Sequence, residues 1–273
     1  MNISSCFIQA NRIRTHYLEA GSGAPLLLLH GGGAGADSVG NWKECIKILA
    51  KRYRVIAPDM VGFGKTDKPS PENFTYDQKS RNDHIVAFIE ALGLTKVAVV
   101  GNSMGGATAL GVALQRPELL DRIVLMGSAG LAIPPVPSPH LQHTLNYDFT
   151  LEGMRRVIEG LTSPRFKPTV EMIRYRYELM TDPAAAEALK AINAETKKGT
   201  LVYDEDALRT IKHPVLVVNG KEDGVSPIAR ALRFLELLEN SRGYIVPHCG
   251  HWAMIETTAE FCSVVENFLA LEF

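Results

Sequence analysis

Apolar residues fall in short solid runs that alternate with stretches of helical spacing. Ile13 to Ala20 reads as a strand closed by the turn Gly21-Ser22-Gly23. Pro25 to Leu29 is a wholly apolar run that ends at His30 and a glycine loop. Trp42 to Lys51 carries a short helical pattern, and Tyr53 to Ala57 is a strand stopped by Pro58-Asp59. Tyr76 to Leu92 predicts a helix with Ile85, Phe88, Ile89 and Leu92 on one face. Lys96 to Val100 is another buried strand. After it Ala107, Leu110, Gly111 and Leu114 recur at helical spacing, and Arg122 to Met126 is the next strand. Strands alternating with helices predict an α/β fold, a mostly parallel central sheet flanked by helices.

The pattern breaks at Ile133-Pro134-Pro135-Val136-Pro137-Ser138-Pro139, which fits neither a helix nor a central strand. Helical segments without strand signals follow to about Leu208. We read 134–208 as a helical cap inserted into a core formed by 1–133 and 209–273. The core pattern resumes at His213 to Gly220 and continues with a helix near Ile228 to Leu238. A last strand, Gly243 to Pro247, leads to a closing helix carrying Phe261, Val264, Val265, Phe268 and Leu269. The 273 residues are long enough for such a domain and its insertion.

Composition narrows the function. A formal net charge of -1 gives no reason to expect nucleic acid or an anionic membrane as partner. Cys6, Cys45, Cys249 and Cys262 are scattered without a CxxC pair, which argues for a reducing compartment and against structural zinc. No metal-ligand spacing is present, so neither a metal nor a cofactor is implied. No apolar run approaches a membrane span, and Met1 to Ser5 lacks a basic region followed by an apolar core. A cytoplasmic protein is expected.

The chemistry centres on the sequence that joins the strand at 96–100 to the helix after it, Gly101-Asn102-Ser103-Met104-Gly105. A turn this sharp needs residues without a Cβ on both sides of the serine, and Gly101 and Gly105 supply them. The Ser103 hydroxyl then stands at a helix N-terminus, whose free N–H groups point at the same place. A serine used as a nucleophile needs a base, and the base needs an orienting acid. Asp223 and His251 each lie just beyond a predicted strand, in the chain order Ser, Asp, His. Glu222 is a rival for the acid. The loop His30-Gly31-Gly32-Gly33-Ala34-Gly35 fits an oxyanion hole in which Gly32 or Gly33 donates one N–H and Met104 the other. The same glycines, with Asp59 further on, also satisfy a dinucleotide-binding fingerprint. That reading would leave the Ser-Asp-His set unexplained.

Together with Asn41-Trp42, Gly62-Phe63-Gly64-Lys65-Thr66 and Gly250-His251-Trp252, these motifs resemble the meta-cleavage product hydrolases, α/β-hydrolases that break carbon–carbon bonds. Asn146 to Thr150 and Pro247 to Glu256 are most similar to the carbazole-pathway branch of that family. The resemblance spans the whole chain. It implies an α/β-hydrolase fold and, as substrate, a 2-hydroxy-6-oxo-6-arylhexa-2,4-dienoate. It also implies ketonisation of the dienol, attack of Ser103 at C6, proton transfer by His251 and a tautomer held by Asp223. The products would be 2-hydroxypenta-2,4-dienoate and an aromatic acid, and the chain would form a homo-oligomer, a dimer or tetramer. Asn41, Asn102, Arg176 and Trp252 match substrate-binding positions. Independently, Met172, Arg176 and Met180 share one helix face, so Arg176 is expected to point inward and Arg174 outward. An inward arginine suits a substrate carboxylate in an apolar pocket. The same triad would also serve a serine esterase, and a third possibility is a ligand receptor that does not turn over.

Overall fold

In the computed structural model, which describes residues 2–132 and 139–273, eight strands make a single sheet. They are β1 (Ser4–Ala10), β2 (Ile13–Ala20), β3 (Pro25–Leu29), β4 (Arg54–Pro58), β5 (Val97–Asn102), β6 (Leu120–Met126), β7 (Val215–Gly220) and β8 (Ser241–Val246). Their spatial order is β1-β2-β4-β3-β5-β6-β7-β8. β2 runs antiparallel to both neighbours, and every pairing from β4 to β8 is parallel.

The solid apolar runs become the middle of this sheet. Every residue of β5 and β7 is buried, as are Leu26 to Leu29 of β3. Successive side chains point to opposite faces. Leu27, Leu29, Val99 and Val217 therefore pack with Phe88, Ile89, Leu110 and Phe234 on one side. Leu26, Leu28, Val100 and Val218 pack with Trp42, Ile46, Phe261 and Val265 on the other. A strand covered on both faces has no polar alternation, which is why the sequence reads as continuous runs.

The pattern analysis passed over β1. Its burial alternates weakly at an edge, and Phe7 is 42% exposed beneath the Arg14 guanidinium. β1 joins β2 through Asn11 and Arg12 at φ 44° and 66°, two left-handed residues whose twist suits a tight hairpin. The first helix also starts before its apolar pattern does. It runs Ser38–Leu49 because the Asp37 carboxylate accepts the Gly40 N–H at 2.6 Å and caps it.

Between β6 and β7 lie the helices Pro139–Leu145, Leu151–Leu161, Val170–Leu179, Pro183–Lys197 and Glu205–Arg209. Among the described residues the only β pairing in this stretch is an isolated Gly130–Val202 bridge. Residues 133–138 of the proline run, and with them the expected start of the cap at 134, lie outside the described residues.

Glycine is required at the β5 turn by close approach. A Cβ on Gly105 would stand 2.4 Å from the Leu29 carbonyl oxygen and 2.7 Å from that of His30. Gly105→Ala should therefore lower stability by about 3 kcal/mol, because rigid backbone atoms have to move. Gly93→Ala meets no atom within 4 Å and pays only for its left-handed backbone, φ 64°, about 1–2 kcal/mol. Urea unfolding of the two variants should give that order, and equal midpoints would contradict it.

Candidate active site

The site is assembled from the C-terminal ends of β3, β5, β6 and β7 and from the loop after β8. At the end of β5, Ser103 sits at φ 53°, ψ −115°, between the strand and the helix Met104–Gln115. Its N–H donates to the Met126 carbonyl at 3.0 Å. Its own carbonyl accepts from Gly106, Ala107 and Ala129. The backbone is thus pinned on both sides while the side chain faces a cavity. Met104 heads the helix, where an amide has no intrahelical acceptor.

After β7, Asp223 Oδ1 accepts the amides of Val225 and Ser226 at 2.8 and 2.7 Å. Its Oδ2 lies 2.7 Å from His251 Nδ1. The pair is buried. An acceptor at that distance places the proton on Nδ1 and leaves Nε2 as the base. Glu222, the rival, lies 3.3 Å from exposed His248 instead. Ser103 and His251 line the same cavity, although among the described residues no hydrogen bond joins them. Such contacts are often long before substrate arrives.

The glycine loop after β3 is held by His30. Its Nδ1 donates to the Gly31 carbonyl at 2.7 Å, and its Nε2 accepts the Met60 amide at 2.9 Å. Burial lowers the pKa of this imidazole, which suits a neutral ring that both donates and accepts. A Cβ on Gly31 would lie 2.9 Å from Asn102 Oδ1, and one on Gly32 would lie 2.8 Å from Met104 Sδ. The loop therefore rests directly on the elbow. Gly31, Gly32, Gly33 and Met104 all face the cavity, as the oxyanion reading requires.

The dinucleotide reading is not compatible with this arrangement. The Asp59 carboxylate is spent on His16 Nδ1 and on the amides of Ser38 and Lys65, all within 2.8 Å. The N-terminus of the following helix already carries the Asp37 carboxylate, where a pyrophosphate would have to bind.

A partly open cavity lies over this assembly. Asn41, Asn102 and Trp252 line it, and the stretch between β6 and β7 contributes Leu141, Thr144, Leu145, Leu161, Ile192, Asn193, Thr196 and Leu201. Arg176 is 1% exposed, whereas Arg174 is exposed. Arg176 is not among the residues facing the cavity. It stands behind them, donating to Asn41 Oδ1 at 3.0 Å and to the carbonyls of Gly35 and Gly40 at 3.3 Å. Its guanidinium carbon lies 4.3 Å from the centre of the Trp252 ring. Burial pushes the Arg176 pKa down to about 10, partly offset by Asp37. Among the described residues, no cluster of His, Cys, Asp or Glu is arranged to hold a metal ion.

The alpha/beta hydrolase fold model matches residues 24–258. A 2-hydroxy-6-oxo-6-(2'-aminophenyl)hexa-2,4-dienoic acid hydrolase from Metapseudomonas resinovorans is 48% identical over 97% of this chain and 90% of its own. The chain belongs to the alpha/beta hydrolase family, among the meta-cleavage product hydrolases. Two solved structures resemble this hydrolase closely. A serine hydrolase involved in carbazole degradation is 46% identical, with a TM-score of 0.91 and 99% and 100% of the two chains covered. A meta-cleavage product hydrolase from Pseudomonas fluorescens IP01 is 36% identical, with a TM-score of 0.91 over 98% and 97%.

Sequence reasoning missed Gly127 of this hydrolase. It follows β6 at φ 52°, and a Cβ there would lie 2.8 Å from His251 Nδ1 and 3.0 Å from Asp223 Oδ2. The only available signal was a glycine at the end of a strand adjoining the elbow. Gly127→Ala should push the acid and the imidazole apart. A displacement of ~1 Å costs about 10²-fold in rate. We expect kcat on p-nitrophenyl acetate to fall by that order, with KM little changed. A kcat within twofold of wild type would show that the pair tolerates the methyl group.

Proposed function

We propose that this hydrolase cleaves the C5–C6 bond of a 2-hydroxy-6-oxo-6-arylhexa-2,4-dienoate, releasing 2-hydroxypenta-2,4-dienoate and an aromatic acid. The observation that carries the reading is one cavity with two kinds of equipment. Ser103, the Asp223–His251 pair and the Gly32, Gly33 and Met104 backbone occupy one part. Asn41 and Trp252, backed by the Arg176 cation, occupy another. An ester hydrolase needs the first set alone, whereas a dienoate brings a carboxylate that needs the second. The substrate named for the 48% identical relative has that carboxylate.

In the reaction, Asn41, backed by the Arg176 cation, holds the carboxylate end while the dienol tautomerises to the ketone. Protonation at C5 makes it the γ-carbon of the C2–C4 enone, so the C2 carbonyl can accept its electron pair when it leaves. His251 Nε2 takes the Ser103 proton as Oγ adds to C6. The oxyanion at C6 accepts from Met104 N–H and from Gly32 or Gly33. C5–C6 cleavage leaves an acyl group on Ser103 and releases the other half as a dienolate, whose C2 oxygen takes the proton from His251. Water, activated by the same imidazole, releases the aromatic acid. Asp223 keeps the imidazole tautomer throughout and stabilises its protonated form.

Residues 134–208 act as the cap, since its side chains from Leu141 to Leu201 supply much of the wall around Ser103. A cytoplasmic homo-oligomer, dimer or tetramer, completes the proposal. Among the described residues, no helix is long and apolar enough to cross a membrane.

Ser103→Ala should bind the dienoate but not cleave it. Removal of a serine nucleophile from a comparable triad costs on the order of 10⁶ in kcat. Stopped-flow absorbance should show a shifted bound spectrum without bleaching, and cleavage within tenfold of wild type would remove Ser103 from its role. Arg176→Ala should raise KM for the dienoate by about tenfold or more, because the cation that backs Asn41 is lost. Hydrolysis of p-nitrophenyl acetate, which has no carboxylate, should suffer much less. Equal losses on both substrates would assign Arg176 to the fold alone.

A further inference from the structure

The cavity wall supplied by the stretch between β6 and β7 is apolar, with Leu145, Leu161 and Ile192, apart from a small polar group. Thr144 in that group is nine-tenths buried, and its Oγ1 has no hydrogen-bond partner among the described residues. A buried hydroxyl left unpaired costs more than a hydrogen bond returns. Asn193, beside it on the helix Pro183–Lys197, is held weakly. Its Nδ2 is shared between the Thr144 and Leu145 carbonyls at 3.5 and 3.3 Å. Two adjacent polar side chains thus face an apolar recess, one unpartnered and the other loosely tied.

Their position relative to the reacting carbon gives this pair a purpose. A Cβ built on Gly33 would lie 3.8 Å from Thr144 Cγ2, so Thr144 stands against the oxyanion loop. A substrate held with C6 at that loop and its carboxylate end toward Asn41 would direct its aryl group at this wall. Its ortho position is the ring position nearest the C6 oxygen, and therefore nearest Thr144. We propose that Thr144, with Asn193 beside it, determines specificity by hydrogen-bonding an ortho amino or hydroxyl group on the aryl ring. The inference deepens the aryl-dienoate reading above and rests on it. A site built to pair a polar substituent discriminates against the analogue that lacks it, because the site's own polar group is then left unpaired.

The test compares kcat/KM for 2-aminophenyl and phenyl dienoates in wild type, Thr144→Val and Thr144→Ser. Valine keeps the shape and removes the hydroxyl, and serine restores it. The preference for the 2-aminophenyl substrate should fall about fivefold to tenfold in Thr144→Val and return in Thr144→Ser. A ratio within twofold of wild type in Thr144→Val, whether both substrates slow equally or neither does, overturns the proposal. Calorimetric binding of 2-aminobenzoate and benzoate to wild type and Thr144→Val supplies the same ratio without turnover. If wild type bleaches neither dienoate, the reaction reading fails, and the binding ratio still decides the role of Thr144.

Discussion

The contact on which the site depends is the seating of the helix that follows β5 against the end of β3. A Cβ on Gly101 would lie 2.4 Å from the Gly105 carbonyl oxygen, and a Cβ on Gly106 would collide with Ser128 Oγ. With Gly105 against the Leu29 carbonyl, these contacts leave no room for side chains on the inner surface of the turn. Ser103 is forced into φ 53°, ψ −115°, a conformation that costs about 1–3 kcal/mol. The four hydrogen bonds to its own backbone hold it there. The same seating sets Met104, at the head of the helix, against Gly32. Nucleophile position and oxyanion geometry are therefore consequences of one packing contact.

The oxyanion loop, in turn, is stabilised by polar groups that take no part in chemistry. His30 bridges Gly31 and Met60, while Asp59 links β2, the first helix and the 60–67 turn. Burial pushes the Asp59 carboxyl up. The hydrogen bond from His16, the nearby His30 and the hydrogen bonds of Ser38 and Lys65 together outweigh it, so its pKa is held low. A charged carboxylate with several donors is a rigid hub, because losing any one donor leaves a buried lone pair unpaired. The acid that the fingerprint reading assigned to a ribose serves as this hub.

How much of this the sequence revealed followed from the range of the signals. β3, β5 and β7 were legible because burial on both faces leaves a solid apolar run, and the elbow because its glycines and serine are consecutive. Asp223 was preferred to Glu222 from the sequence, but what separates them is three-dimensional, since both follow the same strand and only Asp223 meets His251. β1 was hidden because an edge strand buries few side chains. Gly127 and Thr144 were hidden for a different reason. Each matters through what lies across the site, some 120 residues from Gly127 in the case of His251, and no local pattern encodes that contact.

Arg176 illustrates the same limit and carries the strongest physical argument about the ligand. Its helix face was readable from Met172 and Met180, but its depth was not. A guanidinium this buried is normally matched by a carboxylate. The nearby acid, Asp37, is already committed as a helix cap and as the acceptor of the Tyr175 hydroxyl. Arg176 instead has three neutral oxygens and the face of Trp252. Neutral acceptors solvate the cation without cancelling its charge, and Asp37 offsets it only in part. An apolar cavity transmits the field of such a cation with little screening. On the proposed reading, a carboxylate in that cavity would lie in the field of a cation that the fold has already desolvated. A neutral ester would gain nothing comparable, and that difference is the physical ground for proposing the carbon–carbon substrate over the ester on a shared triad.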